Sequence, residues 1–202
     1  MTKNDSRPAP ERADELVAIA ATLFSEQGYE ATPMQDIADR MGILKGSIYH
    51  YVTSKADLLW LVVEPPLREL VTSAEAILKD TERPLDDRLA AAIRAHAESF
   101  EAHYPHMAVM TREDGEALSD ERRNDLDALR RRYFELWRET LVGGQRTGEV
   151  RRDTDPAIAV MGIFGMLNWM CRWFEPGGRM AAADVAEEFS KLLIAGLGIA
   201  RA

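Results

Sequence analysis

Between Arg40 and Ala56 the chain carries no acidic residue, although acids outnumber bases 34 to 25 over the whole sequence. Inside that window stand Lys45, Ser47, Tyr49, His50 and Tyr51, with Lys55 at its end. Lysine neutralises phosphate, hydroxyl and imidazole groups bond to phosphates and base edges, and aromatic rings add flat apolar surface. Brought together on one short segment, these residue types predict an interface for double-stranded DNA. The net charge of −9 excludes a general polyanion binder and confines the basic surface to a patch. Tyr49 also has a second reading, as a core filler with only its hydroxyl at the surface.

The flanking residues supply the elements that would hold such a patch. Ala38 lets two helices approach, Gly42 takes a left-handed turn four positions later, and Ile43 and Ile48 fill the space between them. Thr32, Pro33 and Gln35 read as an N-cap, a proline at the first helical position and a capping-box partner. A preceding helix carries Leu16, Ile19, Ala20, Leu23 and Phe24 on one face and stops at Gly28. A third short helix is expected over about Lys45 to Val52, and Ser54 with Asp57 caps a fourth.

Beyond this head the apolar stripes lengthen. Leu85, Leu89, Ile93, His96 and Phe100 mark one helix, and Leu126, Leu129, Tyr133, Leu136, Trp137 and Leu141 another. Asp155-Pro156 opens an apolar helix running to Phe174, and Val185, Phe189, Leu192 and Leu193 lie on the last. No stretch alternates with period two. The fold class is therefore all-α: a three-helix helix-turn-helix head and a helical ligand-binding and dimerisation body. The expected divisions are a disordered arm over 1–10, the head over 11–55 and the body over 56–202.

The segment from Thr32 to Leu59 resembles the DNA-binding head of the TetR family of bacterial repressors. Thr32-Pro33-Met34, Asp36-Ile37-Ala38, Met41-Gly42-Ile43, the run from Gly46 to Tyr51 and the run from Lys55 to Leu59 carry the likeness, in order and spacing. The resemblance implies that Thr32 caps the second helix and touches phosphate, with Gln35 beside it. It also implies that Lys45, Gly46 and Ser47 enter the major groove. Tyr49 and Tyr51 would contact phosphate or base edges, and Lys55 would pin the backbone. His50 stands where the family often has tyrosine or tryptophan, and Tyr51 where it often has histidine.

A two-fold operator needs a second copy of the chain, so a homodimer is expected, built on the apolar helix and the last helix. Trp169, Arg172 and Trp173 stand at helical spacing on that apolar helix, with Met166 nearby and Tyr133 and Trp137 on a neighbouring one. One cation in an aromatic pocket suits an amphipathic anion; the other reading makes the tryptophans dimer packing, with Arg172 paired to Glu175 or Glu188. The tract from Asn168 to Arg179 also resembles the family's lipid- and steroid-catabolism repressors, several of which respond to acyl-CoA thioesters. That resemblance implies a repressor released by an acyl-CoA or a lipid or steroid acid. Pro65-Pro66 is expected to break or kink the fourth helix and act as a hinge; the other reading is an irregularity with no functional role.

Other functional classes find less support. His96, His103 and His106 could hold a divalent metal with Glu98 or Asp114, but they lack paired ligand spacing, so no metal is expected. No nucleophile elbow, phosphate loop or HExxH pair is present, so neither an enzyme nor a cofactor is expected. The single cysteine, Cys171, fits a reducing cytoplasm. Asn168 and Arg172 interrupt the one apolar run, which argues against a membrane span. A helical sensor or adaptor acting through protein partners is the alternative to DNA binding.

Overall fold

Helix α1 (Ala9–Gln27) ends where Gly28 turns left-handed, φ +88°, and its N–H closes on the Phe24 carbonyl. The computed structural model describes residues 9–199. Ala9 and Pro10, assigned to the arm, are already helical, and residues 1–8 of that arm lie outside the described residues. Helix α2 (Met34–Met41) buries Met34, Ile37, Ala38 and Met41 and stops at Gly42, whose φ is +72°. Helix α3 (Lys45–Ile48) is shorter than expected; the chain leaves it by turn bonds from the Tyr51 and Val52 amides to the Ile48 carbonyl.

The capping expected at α2 is not realised. Pro33, not Thr32, is the N-cap residue, and no side chain caps the helix. Thr32 is fully buried, its hydroxyl donating to the Gly28 carbonyl at 2.8 Å. That bond ties the end of α1 to the following turn, so the side chain has no surface to offer a phosphate. Gln35 donates instead to Asp39, 2.7 Å away and one turn along the same helix.

Helix α4 (Lys55–Leu78) serves head and body at once. Its cap follows the sequence: Ser54 accepts the Asp57 N–H at 3.0 Å, and Asp57 in turn accepts from the Thr53 amide and hydroxyl. Contrary to expectation, Pro65-Pro66 does not end the helix, which runs continuously to Leu78. The two prolines withhold donors from the Leu61 and Val62 carbonyls. Burial on both sides of them compensates, since Val62, Val63, Pro66, Leu67 and Leu70 all lie in the core.

Five further helices complete the body: α5 (Leu85–Ala102), α6 (Tyr104–Arg112), α7 (Asp120–Thr147), α8 (Pro156–Asn168) and α9 (Ala182–Gly196). Helix α9 packs along α5, α7 along α4, and α6 lies between α1 and α4. Ser119 caps α7, and Asp155 caps α8 by accepting from Ala157 and Ile158 behind Pro156. The apolar helix expected to reach Phe174 changes pitch early, giving way at Trp169 to a 3-10 turn (Trp169–Arg172). No described helix is long and apolar enough to cross a membrane.

Candidate DNA interface and ligand cavity

The head presents its polar residues as a helix-turn-helix requires. Ile48 is completely buried and Ile43 packs partly against the core, fixing α3 across α2. Lys45, Gly46, Tyr49 and His50 are left at the surface, with Ser47 and Tyr51 half-buried beside them. Tyr49 is exposed, so the core-filling alternative does not hold for it, whereas Tyr51 packs against the core. Leu44, at 80% exposure, adds an apolar tip that sequence reasoning passed over. Lys55 donates to the Glu30 carbonyl at 3.3 Å and stands 4.2 Å from the centre of the Tyr29 ring. Its ammonium is thereby held over the turn between α1 and α2.

A cavity of about 400 Å³ opens inside the body. Leu67 and Leu70 of α4, Met110 of α6, Tyr133 and Phe134 of α7 and Phe164 of α8 supply its apolar wall. Phe164 organises the aromatic side, stacked on Tyr133 at 5.0 Å and 11°, with Trp137 edge-on at 5.9 Å. His96 of α5 joins this wall, its Nδ1 sharing a 3.0 Å hydrogen bond with the Tyr133 hydroxyl. Burial lowers the His96 pKa from 6.5 to about 4, against a smaller opposing effect of Asn168, and pushes the Tyr133 phenol up. The pair is therefore uncharged at neutral pH. Arg112, Glu113, Asp114 and Arg130 form the charged, more solvent-exposed part of the lining.

Only part of the expected ligand set meets at this cavity. Tyr133 lines it, and Trp137 stands fully buried behind. Met166, Trp169, Arg172 and Trp173 do not line it. For Trp169, Arg172 and Trp173 the pitch change at Trp169 is the reason: helical spacing no longer holds there, and the two indoles emerge 60% and 40% exposed, whereas Met166 lies within regular α8 and is simply not part of the lining. Arg172 lies 5.9 Å from the Trp169 ring. The lining residues missed from sequence are Phe134, Phe164, Arg112 and their neighbours, which meet only through contacts between distant helices. His103 and His106 lie away from His96, beside Pro65-Pro66. Among the described residues no group of three His, Cys, Asp or Glu side chains could hold a metal ion.

Two measurements follow from this geometry. A Cβ built at Gly46 meets nothing within 4 Å, so Gly46→Ala should leave the melting temperature unchanged or slightly raised. If Gly46 enters the groove, as the family resemblance implies, the same methyl group should lower operator affinity about tenfold, ~1.4 kcal/mol. Undiminished binding in a gel shift would remove α3 from the interface. The second concerns His96, which the unfolded chain protonates below about pH 6.5 while the folded chain resists until about pH 4. Stability is thus complete above pH 6.5 and declines as the pH falls through that window, by about 2 kcal/mol between pH 7 and 5. Urea unfolding of His96→Gln should lack that share of the decline; an unchanged slope would mean that other groups cause it.

Comparison with known proteins agrees with this arrangement. Residues 16–60 match the family model described as bacterial regulatory proteins, tetR family, and residues 82–197 match the tetracyclin repressor-like C-terminal domain. The HTH-type transcriptional repressor KstR2 of Rhodococcus jostii (strain RHA1) is 32% identical over 188 residues, 92% of this chain and 91% of that protein. The ketosteroid transcriptional regulator KstR2 of Mycobacterium tuberculosis superposes with a TM-score of 0.86 at 26% identity, covering 99% of this chain and 100% of the other. PfmR, a TetR family regulator from Thermus thermophilus, gives a TM-score of 0.81 at 38% identity, with coverages of 91% and 99%. The chain belongs to the TetR family and is a DNA-binding, helix-turn-helix transcriptional repressor.

Proposed function

We propose that the protein represses transcription as a homodimer and is released from its operator by an amphipathic anion, an acyl-CoA thioester or a lipid or steroid acid, bound in the body cavity. The observation that carries this reading is the cavity's polarity. Its inner wall is aliphatic and aromatic with an uncharged His–Tyr pair, and its more exposed lining holds two guanidinium groups beside the Glu113 and Asp114 carboxylates. Arg130 pairs with the Asp127 carboxylate at 3.5 Å and donates to the backbone carbonyls of Glu113 and Asp114 at 2.7 and 2.8 Å; Arg112 likewise bonds to carbonyls. A carboxylate or phosphate is a stronger acceptor than those neutral oxygens. The anion site is accordingly reassigned from Arg172 to this cluster. The KstR2 likeness supports the ligand class, since that relative is named a ketosteroid transcriptional regulator.

The dimer reading rests on the outer face of α8 and α9. Ile158, Met161, Trp169 and Leu192 are 60–68% exposed there. Nothing lies within 4 Å of a Cβ built at Gly162 or Gly165, which leaves their backbone open to close approach. Large apolar side chains so exposed are costly in water and fit a self-complementary two-fold contact. Met161→Glu should turn the dimer into a monomer in sedimentation and weaken operator binding with it; an unaltered dimer would move the interface elsewhere.

Decanoyl-CoA, deoxycholate and free coenzyme A serve as effector probes. At least one of the first two should raise the melting temperature and release operator DNA, while free coenzyme A should do neither. Arg130→Ala should weaken the active probe's binding about tenfold, ~1.4 kcal/mol. Failure of both amphipathic probes would overturn the effector class, and an Arg130→Ala variant with unchanged affinity would place the anion on other residues.

A further inference from the structure

We propose that Arg112 and Glu113, at the end of α6, form a latch through which the cavity holds the DNA-binding head, and that the effector's anionic group opens it. The inference rests on the effector reading above and adds how occupancy reaches the head.

Both residues line the cavity, and both also grip the turn between α1 and α2. Arg112 donates through Nη1 to the Ser25 carbonyl in the last turn of α1, at 2.8 Å. Its Nη2 donates to the Cys171 carbonyl at 3.0 Å, an oxygen that also accepts from the Tyr104 hydroxyl at 3.2 Å. One guanidinium thus touches head, body and cavity. Burial raises the pKa of the Glu113 carboxyl, and the backbone N–H of Tyr29, which it faces on the far side of the turn, lowers it. Tyr29 is buried edge-on against Phe24, at 5.1 Å, and its ring lies beneath the Lys55 ammonium. Two contacts therefore separate the cavity wall from a lysine at the DNA interface.

Ser25 lies where the carbonyls of α1 lack intrahelical donors and carry partial negative charge, so a guanidinium is their natural partner. A fully charged oxygen is a better one, and Arg112 is exposed enough to turn towards it. The backbone of Glu113 and Asp114 is meanwhile clamped by Arg130. An anion that engages Arg130 and Arg112 together withdraws the donor from Ser25 and loosens the segment carrying Glu113. The head then loses both hooks at once. Because the coupling is reciprocal, operator DNA should weaken the effector by the same factor.

The experiment compares Arg112→Ala and the unaltered protein by operator titration with and without decanoyl-CoA, and by calorimetry of decanoyl-CoA alone. In the unaltered protein the probe should lower operator affinity at least tenfold. In the variant, whose probe affinity should itself fall, operator affinity should start lower and change less than twofold at probe concentrations that calorimetry shows to saturate it. A variant that keeps the full response overturns the latch. A second arm needs no effector: amide exchange at Gly28 and Tyr29 should quicken in Arg112→Ala and Glu113→Ala, with α7 unaffected. Unchanged exchange there also overturns it. If decanoyl-CoA does not bind the unaltered protein, the choice of effector fails, and the latch stands or falls on the exchange measurement.

Discussion

One apolar seam along α4 holds the molecule together. From Leu58 to Leu78 this helix buries Leu58, Leu59, Val62, Val63, Leu67, Leu70, Val71 and Ala74, first against the head and then against α5, α6 and α7. The head alone is too small to bury a stable core, and α4 lends it the body's. Because the seam does not pause at Pro65-Pro66, head and body share one buried surface. Their relative orientation is then set by the polar contacts at its edges. Arg122 at the start of α7 pairs with Asp57 at the start of α4 and lies over Trp60. Hydrogen bonds from Thr53 and Arg122 hold the Asp57 carboxyl below its ordinary pKa, so that pairing persists throughout the neutral range.

The cavity sits beside the same seam. Leu67 and Leu70 belong to both, so whatever fills the cavity presses on the helix that carries the head. The neutral His96–Tyr133 pair fits this position. A charged group among Phe100, Phe164 and Trp137 would need a partner that the wall does not provide. Charge is kept instead to the last turn of α6 and its neighbour Arg130, where water reaches it.

Much of the fold was legible because its signals are local. Gly28 and Gly42 turn left-handed where the periodic stripes stop, and Ser54 and Asp155 cap the helices they precede. The helix-turn-helix is legible for the same reason, since its geometry is compressed into about twenty residues. Thr32 misleads because a buried hydroxyl bonded to Gly28 and an exposed N-cap have the same sequence signature. Pro65-Pro66 does not break α4, because tertiary burial outweighs the local cost of proline. The ligand residues were the least legible. Trp169, Arg172 and Trp173 satisfy helical spacing on paper, but the chain abandons that pitch at Trp169. Arg112, Phe134 and Phe164 stand together only because three helices cross, and no periodicity records a crossing.

The placement of the four indoles has a spectroscopic consequence. Trp137 is sealed in the core, Trp60 lies beneath the Arg122 guanidinium, and Trp169 and Trp173 stand in the open at the end of α8. In the isolated protomer their emission should separate by wavelength, the sealed ring to the blue and the open pair to the red, and the proposed dimer contact should shift the Trp169 share towards the blue. Water-borne quenchers should reach the red component first. The protein thus carries intrinsic fluorophores at its centre, at its head–body joint and on its outer face, and none of these places needs an added label.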